Sequence, residues 1–412
     1  ESRVQTFCIA KSEKDCVELY HSLIQTSRKK KEPLIIITPN DERTAHLAAL
    51  LSKNKDIIIS RADDGLRATR LMRTMATNGT CVVLIGTRHL LATPFKNLHT
   101  IIVDQSEHRN HKLHEGSPLI DSCSSAYHKA QSYRARLIYT SCAPRLEEYS
   151  YIPCTHPKTP YTFSPTIISL HDEFRGGNTS HVSERLQEEI AACLKRNEDG
   201  VLSLNLTGMS KYIQCKGCKT VFTCPDCNEP LRYTQRDQKL MCPTCTHTQI
   251  PPDTCPVCHD VNFIFPGLGI EKIAQQLSIL FPDVPIVLVD AKNTTPLPPP
   301  GTPAIIVGTS YLPHHYPDRV AHAGLIGLIT ADPIVSMEQF RSLEQQWQDH
   351  AFLLSLKSPI ASCVIQAFNT DHPFVQSLAT LDYHRFADSE LALRKTHSLP
   401  PTQRHIVCIY KG

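Results

Sequence analysis

No stretch of the chain approaches the roughly 18 consecutive apolar residues that a membrane-spanning helix requires, and residue 1 opens no signal-peptide pattern. Both absences predict a soluble, cytoplasmic protein with no membrane partner. A dominant charge is lacking as well. With 43 Lys and Arg against 40 Asp and Glu, net charge alone points to no partner class. Contact with nucleic acid would have to come from local patches such as Arg28-Lys29-Lys30-Lys31, a run that reads first as a solvated helix end ahead of a strand and only second as a phosphate site. The first residue is Glu1 rather than Met, which allows for a preceding portion.

Cysteine is abundant instead, at 17 residues. Nine are scattered singly: Cys8, Cys16, Cys81, Cys123, Cys142, Cys154, Cys193, Cys363 and Cys408. Scattered single cysteines within apolar segments read as buried thiols of a reducing compartment, not as a disulfide framework. The other eight form four Cys-x2-Cys pairs.

A chain of 412 residues exceeds one compact core and predicts two or three domains. Short apolar runs at Leu34–Ile37, Ile57–Ile59, Val82–Ile85, Thr100–Val103 and Leu137–Tyr139 alternate with helical patterns such as Asp41–Leu51 and Leu66–Ala76. Continuous β-rich runs separated by helices predict a parallel sheet covered on both faces. After a loop-like stretch from Pro153 to Thr179, a helix capped by Ser180 or Ser183 carries Leu186, Ile190 and Leu194 on one face and leads to the strand Val201–Leu204. The cysteine pairs interrupt this second set. It resumes with Ile286–Val289, Ala304–Val307, Leu325–Leu328 and Ser362–Gln366, and Pro296–Pro303 reads as a stiff, solvated loop.

The four pairs are Cys215/Cys218, Cys224/Cys227, Cys242/Cys245 and Cys255/Cys258. A Cys-x2-Cys turn sets two thiolates about 3.5 to 4 Å apart, which suits two vertices of a zinc tetrahedron. Eight thiolates fill two closed tetrahedra and leave no vertex for water, so two structural Zn2+ ions are expected, with rubredoxin-like iron as the alternative. The module has little apolar content of its own, and metal ligation supplies its stability, on the order of 10 kcal/mol per site. His247 and His259 lie nearby and read as surface histidines.

The cysteine spacing, with five residues between Cys218 and Cys224, resembles that of the primosomal replication-restart helicases, the primosomal protein N′ (PriA) family. The flanks agree: Leu204-Asn205 and Gly208 before the first cysteine, and Gly267-Leu-Gly269 with Glu271-Lys272 after the last. Ile85-Gly-Thr-Arg88, Thr93–Leu98, Glu390–Arg394 and Leu399-Pro-Pro401 extend the likeness over roughly residues 8 to 408. The resemblance implies two RecA-like helicase lobes with parallel sheets and a double four-cysteine zinc module inserted in the second. The divisions would be 1–152 for lobe 1, 153–210 for the start of lobe 2, 211–262 for the zinc module, 263–368 for the rest of lobe 2, and 369–412 for a helical segment entering a C-terminal domain. It also implies nested zinc pairing. Cys215, Cys218, Cys255 and Cys258 would share one ion, and Cys224, Cys227, Cys242 and Cys245 the other. The family's N-terminal DNA-binding region has no counterpart in this chain.

Against that family, the motor is degenerate. The phosphate loop Gly-Ser-Gly-Lys-Thr corresponds to Ala10-Lys-Ser-Glu-Lys14-Asp15, which keeps Lys14, lacks both glycines and adds Glu13 beside the polyphosphate. The acidic box Asp-Glu-Glu-His becomes Asp104-Gln105-Ser106-Glu107-His108. Asp104 retains the means to hold a metal-bound water, and Glu107-His108 restores the box only through a one-residue bulge. The coupling segment Gly-Ser-Ala-Thr-Pro reads Thr140-Ser-Cys-Ala-Pro144. The motif Gln-x-x-Gly-Arg-x-Gly-Arg corresponds to Gln348-Asp-His-Ala-Phe-Leu-Leu-Ser355, without its arginines, and losing one such arginine costs about 10³ to 10⁵ in rate.

The resemblance therefore implies a DNA-binding assembly protein of replication restart, with ATP and Mg2+ doubtful as ligands. Single-stranded or branched DNA and other primosome or replication proteins would be its partners, and Thr87, Arg88 and Thr309 stand at strand ends where lobes of this kind meet the DNA backbone. An active ATP-dependent 3'-5' helicase with divergent motifs, and a zinc interaction module that does not bind DNA, remain the alternatives.

Overall fold

The computed structural model describes residues 5–9, 13–51, 57–61, 64, 66–79, 83–112, 121–150, 154–155, 164–178, 180–204, 214–215, 217–218, 220–226, 231–234, 239–242, 247–261, 263–264, 270–291, 295–299, 301–333 and 340–403. Ala10, Lys11, Cys81, Asn205, Gly208, Cys227, Cys245, Gly267–Gly269 and Cys408 lie outside these residues.

In the first unit strands and helices alternate: β1 (Gln5–Ile9), α1 (Glu13–Lys30), β2 (Leu34–Ile37), α2 (Asp41–Leu50), β3 (Ile57–Ser60), α3 (Leu66–Asn78), β4 (Val83–Gly86), β5 (Thr100–Val103), α4 (Ser122–Tyr133), β6 (Arg136–Ser141), α5 (Leu146–Tyr149) and β7 (Cys154–Thr155). Every strand pair is parallel, in the order β3-β4-β2-β5-β6-β1-β7. The all-apolar run of β2 is buried at each position, as a strand covered by helices on both faces must be. Asn40 caps α2 by accepting from the Arg43 amide at 2.7 Å, and Asp121 caps α4 through the Cys123 and Ser124 amides. The order sets β2, β5, β6 and β1 side by side, so the segments leaving those four strands converge although they are far apart in sequence.

The first unit extends past the expected boundary at 152, since Cys154–Thr155 pair with β1, and the second unit opens with elements the sequence did not predict. The stretch read as a loop from Pro153 to Thr179 contains β8 (Thr166–Ser169) and α6 (Leu170–Arg175), followed by α7 (Glu184–Lys195) and β9 (Gly200–Ser203). β8 is a four-residue edge strand held by β18 alone, and a strand that short between polar, proline-bearing flanks has no periodicity to betray it. Ser183 rather than Ser180 caps α7, accepting from the Leu186 amide at 3.2 Å. Five short strands follow, β10 (Gln214–Cys215), β11 (Arg232–Thr234), β12 (Lys239–Met241), β13 (Thr248–Gln249) and β14 (Phe263–Ile264). Then come α8 (Ile270–Leu280), β15 (Ile286–Val289), β16 (Ile305–Gly308), α9 (Tyr311–His315), α10 (Pro317–Ala321), β17 (Leu325–Leu328), α11 (Ser342–Ser355), β18 (Ser362–Ala367), α12 (Pro373–Thr380) and α13 (Tyr383–Thr396). The second sheet is also parallel throughout, in the order β15-β16-β9-β17-β18-β8. The chain is therefore an α/β protein of two parallel-sheet units.

The cysteine-rich insertion leaves after β9 and returns before α8. Its base is the antiparallel ribbon β10–β14, and its body is the three-stranded antiparallel sheet β11-β12-β13. Among described residues its core consists of Phe222, Leu231 and Leu240 with Cys215, Cys224, Cys242 and Cys255. At the other end, α12 and α13 pack on α11, with Trp347 stacked on Phe386 at 5.2 Å. Arg394 of α13, fully buried, pairs with Glu344 at 2.8 Å and Glu390 at 2.9 Å.

Candidate nucleotide pocket and metal centre

The segments leaving β1, β2, β5 and β6 meet around one guanidinium. Arg43, in the first turn of α2, donates from Nε to Asp104 Oδ2 at 2.8 Å and from Nη2 to Oδ1 at 3.3 Å. It also pairs with Glu13, the residue that stands where the family has its second loop glycine. His46 Nε2 lies 3.1 Å from Glu13 Oε1. The hydroxyl of buried Tyr20 donates to Asp104 Oδ1 and lies against Thr140 Oγ1. Both oxygens of Asp104, itself fully buried, are thus engaged by protein groups. The role left open for it from sequence, holding a metal-bound water, competes with an internal cation. Burial works against ionisation of Glu13, but the hydrogen bond from His46 and the Arg43 charge prevail and hold its carboxyl at about 2.

Beside this ion network lies a pocket of about 30 Å3, lined on the first unit by Glu13, Cys16, Arg43, Gln105, Glu107 and Thr140–Cys142 and on the second by Phe352 and Ser355. That is room for a water or two. Counting along Gln348–Ser355 against the family motif puts Phe352 and Ser355 at the two arginine positions. A phenyl ring and a serine, whose hydroxyl donates to the Phe352 carbonyl at 2.7 Å, stand in the pocket wall at those positions. His314 stacks on Phe352 at 4.4 Å and meets His108 edge-on at 4.7 Å.

Gln105 adopts φ +50, a left-handed turn unusual outside glycine, asparagine and aspartate. That turn brings both Gln105 and Glu107 to the pocket wall, so the ungapped and bulged alignments of the acidic box each correspond to a side chain there. Burial pushes the Glu107 carboxyl up to about 7 despite hydrogen bonds from Ser141 and Cys142; the Cys142 thiol donates at 3.4 Å. Lys14 takes no part. Its side chain is 84% exposed and pairs with Glu18 at 3.9 Å.

Thr87 and Arg88 follow β4, and Thr309 follows β16. Thr87 Oγ1 lies 2.9 Å from His89 Nδ1, Arg88 is exposed, and Thr309 Oγ1 accepts from the Tyr311 amide at 3.3 Å. All three therefore sit at C-terminal strand ends, the edge where parallel α/β sheets bind ligands. Of the Arg28–Lys31 run, Arg28–Lys30 form the last turn of α1, with Lys29, Lys30 and Lys31 exposed and Arg28 partly buried.

In the insertion, the outer pairs come together. Cys215, Cys218, Cys255 and Cys258 have their sulfurs within 4.8 Å of one another, with Cys215–Cys258 at 3.4 Å and Cys218–Cys255 at 3.6 Å. A tetrahedral ion with bonds of about 2.3 Å needs sulfurs about 3.8 Å apart, so the quartet fits a metal ion and could hold one. Thr220 hydrogen bonding lowers the Cys218 thiol, while that of Cys258, despite its hydrogen bond with the Asp260 backbone, is raised by the neighbouring sulfurs of Cys215 and Cys218. Three half-sites close with the same backbone bond, from Cys215, Cys242 and Cys255 to the carbonyls of Thr220, His247 and Asp260 at 2.8–2.9 Å. Cys224 and Cys242 are buried in the module core, while Cys227 and Cys245 lie outside the described residues. His259 is exposed. His247 is not the free surface residue expected: it is partly buried, grouped with Cys224 and Asp226, and paired to Asp226 at 2.9 Å. Of the scattered cysteines with described side chains, Cys123, Cys193 and Cys363 are buried and Cys16 and Cys142 partly so, and none of these five is in a disulfide.

Arg43 and Tyr20 were not singled out from sequence. Arg43 precedes Leu47 and Leu51 by four and eight positions, placing a charge on the buried face of α2. That was the available signal.

No family model matches the chain. It is similar to replication restart protein PriA of Bacillus subtilis (27% identical over 345 residues, 77% of this chain and 42% of the relative). It is similar also to that of Synechocystis (27%, covering 77% and 42%) and to that of Haemophilus influenzae (25%, covering 93% and 55%). The chain thus spans about half the length of the curated relatives it matches. Among solved structures, RecG bound to a three-way DNA junction superposes with a TM-score of 0.49 at 11% identity, over 97% of this chain and 45% of that one.

Proposed function

We propose that this member of the PriA family is a zinc-bearing, DNA-binding scaffold of replication restart, acting at forked or single-stranded DNA with little or no ATPase. The observation that carries the reading is Arg43 lodged between Glu13 and Asp104. A motor of this class must present an open amide cradle and a free aspartate to Mg2+ and phosphate. Here a protein cation neutralises both carboxylates, and Phe352 and Ser355 stand in for the arginines. What remains is a two-lobed surface with a metal-stiffened insertion, suited to holding DNA and to assembling other primosome or replication proteins in the cytoplasm. On this reading the first lobe runs through β7 to Thr155, the second runs from β8 to 368 and is interrupted by the zinc module at 211–262, and 369–412 leads toward a C-terminal domain.

Eight cysteines would hold two structural Zn2+ ions: Cys215, Cys218, Cys255 and Cys258 around one, Cys224, Cys227, Cys242 and Cys245 around the other. The ions supply rigidity, not chemistry. An active helicase with divergent motifs draws support from one observation, the Glu107 carboxyl at the pocket wall with its affinity for a proton raised to about 7, a value suited to a general base.

DNA binding tests the scaffold reading. Fluorescence anisotropy with forked and single-stranded oligonucleotides at about 50 and about 200 mM salt should show affinity falling tenfold or more as counterion release weakens. Arg88→Ala should flatten the log–log salt slope by about one contact. No binding at the lower salt, with metal retained, would favour a protein-interaction module instead.

A further inference from the structure

The segment that couples nucleotide to DNA in motors of this class is, in this chain, built into the other unit. After β6 the chain runs through Ala143 and Pro144 into α5, and Ala143 and Leu146, both fully buried, belong to the same apolar cluster as Val201, Trp347 and Phe374 of the second unit. The polar groups of the segment are taken up from that side too. The Leu146 amide donates to Glu344 Oε1 at 2.9 Å, and Gln348 Nε2 donates to the Ala143 carbonyl at 3.1 Å. Tyr383 donates its hydroxyl to the Pro144 carbonyl, and Arg341 pairs with Glu147. Glu344 is in turn fixed by the buried Arg394 of α13. At its upstream end the same segment starts from Thr140, which touches Tyr20 and through it Asp104 and Arg43.

We propose that residues 143–149 clasp the two units into one rigid body in the absence of nucleotide, so that the chain binds DNA in a single, nucleotide-independent state. This rests on the DNA-binding reading above and specifies its regulation. A ligand shifts a protein only through differential affinity for two states. A clasp that buries apolar side chains and satisfies four polar groups across the junction leaves one state populated, and coupling between nucleotide and DNA then vanishes. Breathing between the units, which a translocating motor needs, would have to expose the apolar side chain of Leu146 to water and exchange the ties of the segment to Glu344, Gln348, Tyr383 and Arg341 for bonds to solvent.

Hydrogen–deuterium exchange on the full chain without nucleotide tests the clasp. Peptides over 143–149 should exchange as slowly as the buried strand Leu325–Leu328. Tyr383→Phe and Arg341→Ala, which remove one tie each with little change of shape or at a partly exposed site, should accelerate that segment two- to tenfold and leave Thr100–Val103 unchanged. Loop-like exchange of 143–149 in the unaltered chain, or acceleration spreading to Thr100–Val103, would overturn the clasp. Affinity for a single-stranded oligonucleotide should agree within about twofold with and without the magnesium complex of a non-hydrolysable ATP analogue, and a change above about fivefold would refute nucleotide independence. Free exchange at 143–149 in a chain that still lacks ATPase removes the clasp and spares the scaffold reading. ATP turnover with 143–149 protected does the reverse.

Discussion

Arg43 stands 2.8 Å from Asp104, with its Nε on Oδ2 and Nη2 on Oδ1, in the place where an ATP-driven relative would require magnesium. The pair is almost wholly buried, and Glu13 completes it on the side of the phosphate loop. Removing one partner of such a group leaves uncompensated charge in the interior, which costs about 3–5 kcal/mol. Arg43→Ala should therefore lower the unfolding free energy by about that amount, as read from urea denaturation at neutral pH. Adding Asp104→Asn to it should restore about half the loss, because the two residues are coupled. A cost below about 1 kcal/mol, as for exposed pairs, would mean the network contributes nothing to the fold.

Three partly buried carboxyls of the first unit, Glu13 and Glu107 at the pocket and Glu148 on α5, give stability a two-sided pH dependence. Glu13 is held at about 2, below its unfolded value, so its contribution is present above about pH 4.5 and lost as pH falls toward 2. Glu107 and Glu148 are raised to about 7, in both cases chiefly by burial. The fold keeps them protonated, so stability declines as pH rises from about 4.5 to about 7 and is flat above. Glu107→Gln should remove about 3 kcal/mol of that decline and leave stability near pH 5 almost unchanged, as measured by denaturation across pH 4–9. An undiminished slope in the variant would place the Glu107 carboxyl in water.

Metal analysis after native purification should return two zinc ions per chain. Cys255→Ser should remove the outer ion and loosen the β10–β14 base, and Cys224→Ser should remove the inner one. With Phe222, Leu231 and Leu240 as the apolar part of the described module core, chelation should unfold the insertion while both sheets persist, since ligation supplies on the order of 10 kcal/mol per site. Fewer than about 1.5 zinc per chain would count against a double site.

The β-rich runs were readable because parallel strands buried on both faces are apolar without alternation, as in β2 and β5. The cysteine half-sites were readable because the Cys-x2-Cys spacing fixes the turn, whereas the joining of the outer pairs into one quartet followed only from the family resemblance. β8 and α6 were not, since an edge strand of four residues flanked by proline carries too little pattern. The ion network was invisible for a different reason. Glu13 and Tyr20 of α1, Arg43 of α2, Asp104 after β5 and Thr140 of β6 are far apart in sequence, and only the neighbouring of β2, β5, β6 and β1 in the sheet brings them into contact. The missing arginines could be counted from the sequence. That their substitutes Phe352 and Ser355 close the pocket depends on how the second unit docks.

DNA-stimulated ATP hydrolysis tests the scaffold reading most directly. The chain lacks the glycine cradle, commits Asp104 to Arg43 and carries no arginine at the phosphate positions, and phosphoryl transfer rests on positioning and charge stabilisation by such groups. With Mg2+ and excess forked DNA, phosphate release should stay at the no-enzyme background, and Lys14→Ala should change neither that result nor DNA affinity, as befits an exposed lysine. Turnover that rises with DNA and disappears in Lys14→Ala would contradict the scaffold reading and establish a working motor with divergent parts.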